Sequence, residues 1–136
     1  MDSCNLNVKK VIVDTNFLLM QFEYGVDMPS ELRRIIHSPI TLVIPSVTMD
    51  ELSMLSGGKG NSAMAARFVL QNMDKLRKAF TIEVAPSAGK ADEWIIKYAA
   101  QNLLCVATND VPMRKRLLAL GLPVIAMKGK SKLDFV

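Results

Sequence analysis

Apolar and polar positions along this chain switch between two periodicities, and the switches mark its elements. VKKVIVD, residues 8–14, is a β-branched run that ends on a polar turn, the pattern of a buried strand. Similar short runs recur at TLVIP (41–45), FTIEVA (80–85), LLCVAT (103–108) and PVIAM (123–127). Between them, apolar residues return at three- and four-residue spacing, which predicts helices. One begins at Asn16–Met20. A second covers 28–38 with Ser30 as its N-cap and Leu32, Ile35 and Ile36 on one face. A third is capped by Ser46, carries Val47, Leu52 and Leu55, and stops at Gly57-Gly58. The longest pattern spans 61–79 and would bury Ala65, Phe68, Val69, Met73 and Leu76. Helices over 90–102 and 110–120 follow, the latter ended by Gly121.

Strands alternating with helices predict an α/β fold, a three-layer α/β/α sandwich around a mostly parallel central sheet. Such sheets bind ligands beyond the carboxyl ends of their strands, near the point where strand order reverses. The first and fourth strands end alike, in VIVDTN (11–16) and VATND (106–110), so the two motifs are candidates to meet there. The order of the strands is not written in the sequence.

The 136 residues, half of them hydrophobic, fit a single domain over 1–136 with a short basic tail at about 128–136. The final LDFV either docks on the fold or frays. No apolar run reaches the ~18–20 residues that span a bilayer, and MDSCNLNVKK lacks the apolar segment of a signal peptide. The expectation is a cytoplasmic protein without membrane contact. Cys4 and Cys105 form no CxxC pair, which argues against a disulfide framework or a zinc site. Cys105, within LLCVA, reads as a small buried apolar residue. His37 stands alone and suits a surface or helix end, leaving no partner for serine-triad chemistry. Methionines at 20, 28, 49, 54, 64 and 73 read mainly as core.

The formal charge of +4 is modest, but its distribution is informative. Basic residues cluster at Arg33-Arg34, at Arg67, Lys75, Arg77 and Lys78, at Arg114-Lys115-Arg116, and in the tail KGKSK (128–132). Each cluster alone is an ordinary solvated face. Several beside an acidic pocket suit a phosphate backbone.

Acidic residues occupy element boundaries at Asp14, Asp50, Glu51, Asp92, Glu93 and Asp110. One carboxylate at a helix start complements the helix dipole and means little. Several gathered by the sheet would repel one another unless a cation neutralised them. Hard divalent ions such as Mg²⁺ or Mn²⁺ take oxygen ligands, and one or two of them can activate water against a phosphodiester. Thr15, Asn16, Thr108 and Asn109 suit hydrogen bonds that orient those carboxylates.

VIVDTNFLL, PSVTMDEL, GKADEWIIKYA and VATNDVPMRKRL followed by GLPVIAM, in that order and spacing, resemble the PIN-domain nucleases. The resemblance covers almost the whole chain. It is nearest to compact archaeal-type members similar to the PIN domains of small-subunit ribosomal RNA processing factors. It implies a Mg²⁺- or Mn²⁺-dependent ribonuclease acting in RNA processing or turnover, with Asp14, Glu51, Asp92 and Asp110 as catalytic and metal-binding residues. It implies RNA contacts from Lys90, Arg114, Lys115, Arg116, Lys128 and Lys130, and a homodimer. An antitoxin partner, as for a toxin ribonuclease, is the less favoured alternative. Asp50 and Glu93, beside two of the main acids, read as surface or outer residues.

The chain departs from the family pattern in one place. Relatives often carry another acid shortly after TND, whereas Val111-Pro112-Met113 stands here. The departure favours one tightly held ion with a weaker second site. It also keeps open a non-catalytic RNA-binding or assembly module on the same fold. A receiver-like signalling domain shares the layout, with Lys128 after the last strand. Against that reading, the first strand ends in one aspartate rather than a pair, and FTIEVAPS offers no aspartate as phosphoacceptor at its end.

Overall fold

The computed structural model describes residues 9–136; Val8, where the first predicted strand begins, and Cys4 lie outside them. The order is β1 (Lys10–Val13), α1 (Thr15–Glu23), α2 (Met28–Ile35), β2 (Thr41–Pro45), α3 (Ser46–Ser56), α4 (Asn61–Gln71) and α5 (Met73–Ala79), then β3 (Thr81–Ala85), α6 (Ala91–Asn102), β4 (Cys105–Ala107), α7 (Val111–Ala119), β5 (Val124–Lys128) and β6 (Lys132–Phe135). The strands form one sheet in the order β3-β2-β1-β4-β5-β6. All neighbours run parallel except β5 and β6.

Alternation along β1 sorts the core into two layers. Val11 and Val13 point into a cluster with Phe17, Leu18, Leu32, Leu52 and Val69 from the helices of one face. Ile12 points the other way, with Val106 and Val124, onto Ile95, Ile96, Met113 and Leu117 of α6 and α7. Period-two strands with both faces covered account for their nearly unbroken apolar runs. The expected three-layer α/β/α sandwich is therefore the fold. Cys105 is buried in it, as are Met20, Met28 and Met73, whereas Met54 and Met64 are exposed. Among the described residues, no helix is long and apolar enough to cross a membrane.

Local chemistry shifts several predicted boundaries. The cap of α2 is Asp27, not Ser30: its carboxylate accepts from the Ser30 N–H at 3.2 Å and from the Ser30 hydroxyl at 2.9 Å, and Pro29 occupies the first turn. The 61–79 pattern breaks at Asn72, whose amide donates to the Phe68 carbonyl at 2.7 Å and so competes with the backbone ladder. Phe68 is part exposed and pairs with Phe22 rather than joining the core. Leu103 and Leu104 do not belong to β4; Leu103 takes φ 53° and closes α6 in the left-handed conformation. The LDFV end docks, because residues 132–135 pair antiparallel with β5.

Candidate active site

β1 and β4 lie side by side where strand order reverses: β2 and β3 continue on one side of β1, β4 to β6 on the other. Their register pairs Ile12 with Val106 and Val13 with Ala107. The next residue on each strand is therefore Asp14 and Thr108. The Thr108 hydroxyl donates to Asp14 Oδ2 at 2.5 Å, and its oxygen accepts from the Asp110 N–H at 3.1 Å. Asp14 Oδ1 accepts from the Phe17 N–H at 2.7 Å, and Asp110 Oδ1 from the Met113 N–H at 3.0 Å. Each aspartate thus caps the helix that follows its strand, and one buried hydroxyl joins the two turns.

Glu51 arrives from α3 and Asp92 from α6. Pro45 and Ala85 end β2 and β3 in register, and the two loops beyond them are stitched together. Ser87 donates its N–H to Ser46 Oγ at 2.9 Å, and Ser87 Oγ accepts from the Val47 N–H at 3.0 Å. Ser46 is therefore not the cap of α3. A serine from the next loop supplies that acceptor and ties the Glu51 helix to the segment leading to Asp92.

These elements enclose a cavity of about 200 Å³ lined by Asp14, Thr15, Asn16, Glu51, Ala91, Asp92, Ile95, Asp110 and Met113. No lysine, arginine or histidine is in that lining. Asp14 is 8% exposed, and burial pushes its carboxyl above the ordinary carboxylate range. The charges of Asp110 and Glu51 push the same way, against the hydrogen bonds from Thr108 and Phe17. Among the described residues, no three His, Cys, Asp or Glu side chains crowd closely enough to enclose an ion by themselves. The donor set of carboxylates, hydroxyls and an amide still fits a hard divalent cation, because such ions keep several waters between themselves and carboxylates.

The other predicted residues divide. Thr15 and Asn16 are both in the lining, and the Thr15 hydroxyl is directed at Thr48 Oγ1, 3.4 Å away. Asn109 turns away: Oδ1 accepts from the Met127 N–H at 2.7 Å, and Nδ2 points at Met20 Sδ. The local reason is the step from β4 into α7, which sends successive side chains to opposite sides, so Asn109 pins β5 instead of orienting a carboxylate. Arg116 is held by Glu93 at 2.9 Å on the surface, and Asp50 is exposed outside the cavity. Lys90, Lys115, Lys128 and Lys130 are exposed and Arg114 half-buried. Of Val111-Pro112-Met113, the stretch without an acid, Val111 and Pro112 are exposed and Met113 is buried against the cavity. Thr48 and the Ser46–Ser87 pair escaped the sequence reading. A threonine in an apolar helix stripe is a faint signal, and the serine pair has none until β2 and β3 are known to be neighbours.

A PIN-like domain family model matches residues 11–130. The chain is 30% identical to the ribonuclease VapC4 of Methanocaldococcus jannaschii over 126 residues, 90% of this chain and 92% of that one. It is 28% identical to the ribonuclease VapC9 of Archaeoglobus fulgidus over 124 residues, 91% and 87% of the two chains. Among solved structures, the PIN domain endonuclease Utp24 superposes with a TM-score of 0.71 at 24% identity, covering 93% of this chain and 90% of that one. A domain of a functionally unknown M. jannaschii protein gives 0.65 at 17% identity, covering 95% and 99%. With the matched segment running from the first strand to the turn after β5, and the two aspartate turns meeting at the strand-order reversal, this chain belongs to the PIN-like domain family.

Proposed function

We propose that this chain is a metal-dependent ribonuclease that hydrolyses phosphodiester bonds of RNA, in processing or turnover. The observation that carries the reading is the acidic cavity: residues from four separate elements bring carboxylates to one cleft with no basic side chain in its lining. The relatives named as ribonucleases support the choice of RNA. Asp14 and Asp110 would hold Mg²⁺ or Mn²⁺, directly or through water. When bound, the cation polarises the phosphate and lowers the pKa of its water.

The chain's own groups do the rest. Thr108 keeps the Asp14 carboxylate aimed and fixes the Asp110 backbone against it. Glu51 and Asp92 would orient the attacking water, and one of them would take its proton as the water oxygen bonds to phosphorus; the P–O bond to the leaving nucleotide then breaks and that oxygen is protonated from solvent. Lys90, Arg114, Lys115, Lys128 and Lys130 hold the strand around the mouth, so affinity falls with rising salt.

Cleavage of structured and single-stranded RNA in Mg²⁺ or Mn²⁺, with wild type beside Asp14→Asn and Asp110→Asn, tests the reading. Cleavage by wild type alone, abolished by EDTA, supports it. Full activity in a folded Asp14→Asn protein overturns the assignment. Val111-Pro112-Met113, a stretch without an acid directly after the Asp110 turn, favours the rival non-catalytic module. Under that rival, Mn²⁺ titration shows no binding that depends on Asp14 or Asp110.

A further inference from the structure

Away from the acidic cleft, α2 and α5 frame a recess of their own. α2 ends at Ile35 and α5 at Ala79, just before β2 begins at Thr41 and β3 at Thr81. Both helices therefore end beside the amino ends of these strands, whereas the acidic cleft lies beyond the carboxyl ends. Between them are two depressions that share Arg33 and Ala79. The larger, of about 490 Å³, is floored by Leu32, Ile36, Ile40 and Phe80, with His37 and Pro39 at its rim. The floor residues belong to the core, while His37 and Pro39 are exposed. The smaller, of about 220 Å³, is walled by Arg33 of α2 and by Lys75 and Lys78 of α5. Those lysines stand three positions apart and so share one side of their helix. All three cations are exposed, and among the described residues none is in an ion pair. Asp27 is the acid in this lining, and its carboxylate is engaged by the Ser30 N–H and hydroxyl. Three positive charges against one leave a net attraction for an anion.

We infer that this recess binds a nucleoside phosphate, with the phosphate on Arg33, Lys75 and Lys78 and the ring system over Leu32, Ile36 and Phe80. The assignment is independent of the ribonuclease reading, because no residue of the acidic cleft takes part. A guanidinium presents paired N–H donors that match two phosphate oxygens, and lysine adds charge without a fixed direction. Three cations around one small depression suit the concentrated charge of a phosphate better than the spread carboxylates of an acidic peptide. The larger depression has a hydrocarbon floor and takes the apolar part of the same ligand. His37 at the rim offers ring nitrogens to the polar edge of a base. Small-molecule sites join apolar walls to a few placed polar groups within roughly 300–1,000 Å³, which is the make-up found here. Because Arg33 belongs to both linings, a molecule with adjacent anionic and apolar parts spans them.

The test is isothermal titration calorimetry of the full chain in EDTA, which keeps phosphates from reaching the acidic cleft through a metal. The ligands are ADP, adenosine, inorganic phosphate and a short 5′-phosphorylated RNA. ADP should bind about tenfold or more tightly than adenosine or inorganic phosphate, since each of those fills one depression only. Arg33→Gln and Lys78→Gln should each weaken ADP about tenfold, the loss of one hydrogen bond to a charged group. Neither should move the thermal midpoint, because both side chains are exposed. Lys97→Gln, exposed on α6 in the other helical layer, should bind ADP as wild type does. ADP bound more tightly than the RNA identifies a free nucleotide as the source. The RNA bound more tightly, through its 5′-phosphate and with the same loss in the two variants, identifies a strand end. Binding of neither, or affinity undiminished in both Arg33→Gln and Lys78→Gln, overturns the site. Equal affinity for ADP and inorganic phosphate removes the apolar half and overturns it as well. Displacement of ADP by polyglutamate at matching affinity would assign the recess to an acidic protein and overturn the nucleotide. All of these outcomes leave the ribonuclease reading, which is tested by cleavage, where it stands.

Discussion

The β1–α1 and β4–α7 turns are built alike and end up in different environments. Each places an aspartate after a central parallel strand, and each aspartate caps its helix through Oδ1, at 2.7 Å to Phe17 N and 3.0 Å to Met113 N. Asp14 is buried, and Thr108 takes its second oxygen. Asp110 is exposed, and among the described residues only its Oδ1 is engaged. Thr15 meets Thr48 of α3 over the first turn, while Asn109 and Val111, on either side of Asp110, line a separate cavity with Tyr24, Arg114 and Lys130. The cleft therefore has one pole fixed by the fold and one presented to solvent. Identical local chemistry acquires different roles from what packs above it.

The comparison is broken most directly by removing either charge. Asp14→Asn and Asp110→Asn should each reduce RNA cleavage about a hundredfold or more, since groups that merely orient metal ligands are worth ~10–100-fold. Asp110→Asn should do so with little change in denaturation midpoint, as expected for an exposed position. Comparable cleavage by either variant and wild type would remove that pole from the site.

Thr108→Val attacks the link between the poles. It deletes the donor to Asp14 and the acceptor for the Asp110 N–H at a site with no exposure. A loss of about 1–3 kcal/mol in urea unfolding is expected, with cleavage down by ~10–100-fold. Thr108→Ser, which keeps the hydroxyl, should recover most of the cleavage. A serine variant as impaired as valine would mean that packing of the methyl, not the hydrogen bond, matters.

Ser87→Ala tests the far wall. It removes the acceptor for the Val47 N–H at the start of α3 and should cost about 1 kcal/mol, as helix caps do. Unchanged stability by chemical denaturation would make the stitch between the two loops incidental.

The smallest effect separates the poles by pH. The folded-state pKa of Asp14 is raised, so between its unfolded value of about 4 and its folded value the native state binds the extra proton. Stability of the metal-free protein from this group is highest at low pH and declines as pH rises through that window. Asp14→Asn keeps an oxygen for Phe17 and turns its amide toward a free lone pair of Thr108. Its melting temperature should gain on wild type as pH increases from about 4 toward neutrality. Asp27 and Glu31, both lowered by hydrogen bonds within and beside α2, act with the opposite sign and are common to both proteins. A gap between the two melting curves that is constant with pH would show that burial does not penalise the Asp14 charge.

Much of the fold was legible because it depends on short-range pattern. Strands with both faces buried read as apolar runs, and β-branched residues place them. What misled were side chains that compete with the backbone. Asn72 splits a continuous helical stripe, Asp27 outcompetes Ser30 as a cap, and Leu103 takes a conformation that no periodicity reveals. Of the candidate site, Asp14 and Asp110 were readable as a repeated strand-end motif, and Glu51 and Asp92 through their resemblance to a family pattern. Asn109 was misjudged because adjacent residues leaving a strand face opposite ways, and Ser87 was invisible because its partner lies 41 positions away.

By itself, then, the sequence determined which segments are strands and helices, that they alternate, and which acids stand at their ends. Those are consequences of periodicity and capping, acting within a few residues. Only the tertiary structure decided that β4 lies against β1, that one hydroxyl bridges Asp14 and Asp110, and that Tyr24, Arg114 and Lys130 share a wall. Strand order and burial arise from packing between residues far apart in the chain. The same Asp-capped turn therefore becomes a buried pole at residue 14 and an open one at residue 110.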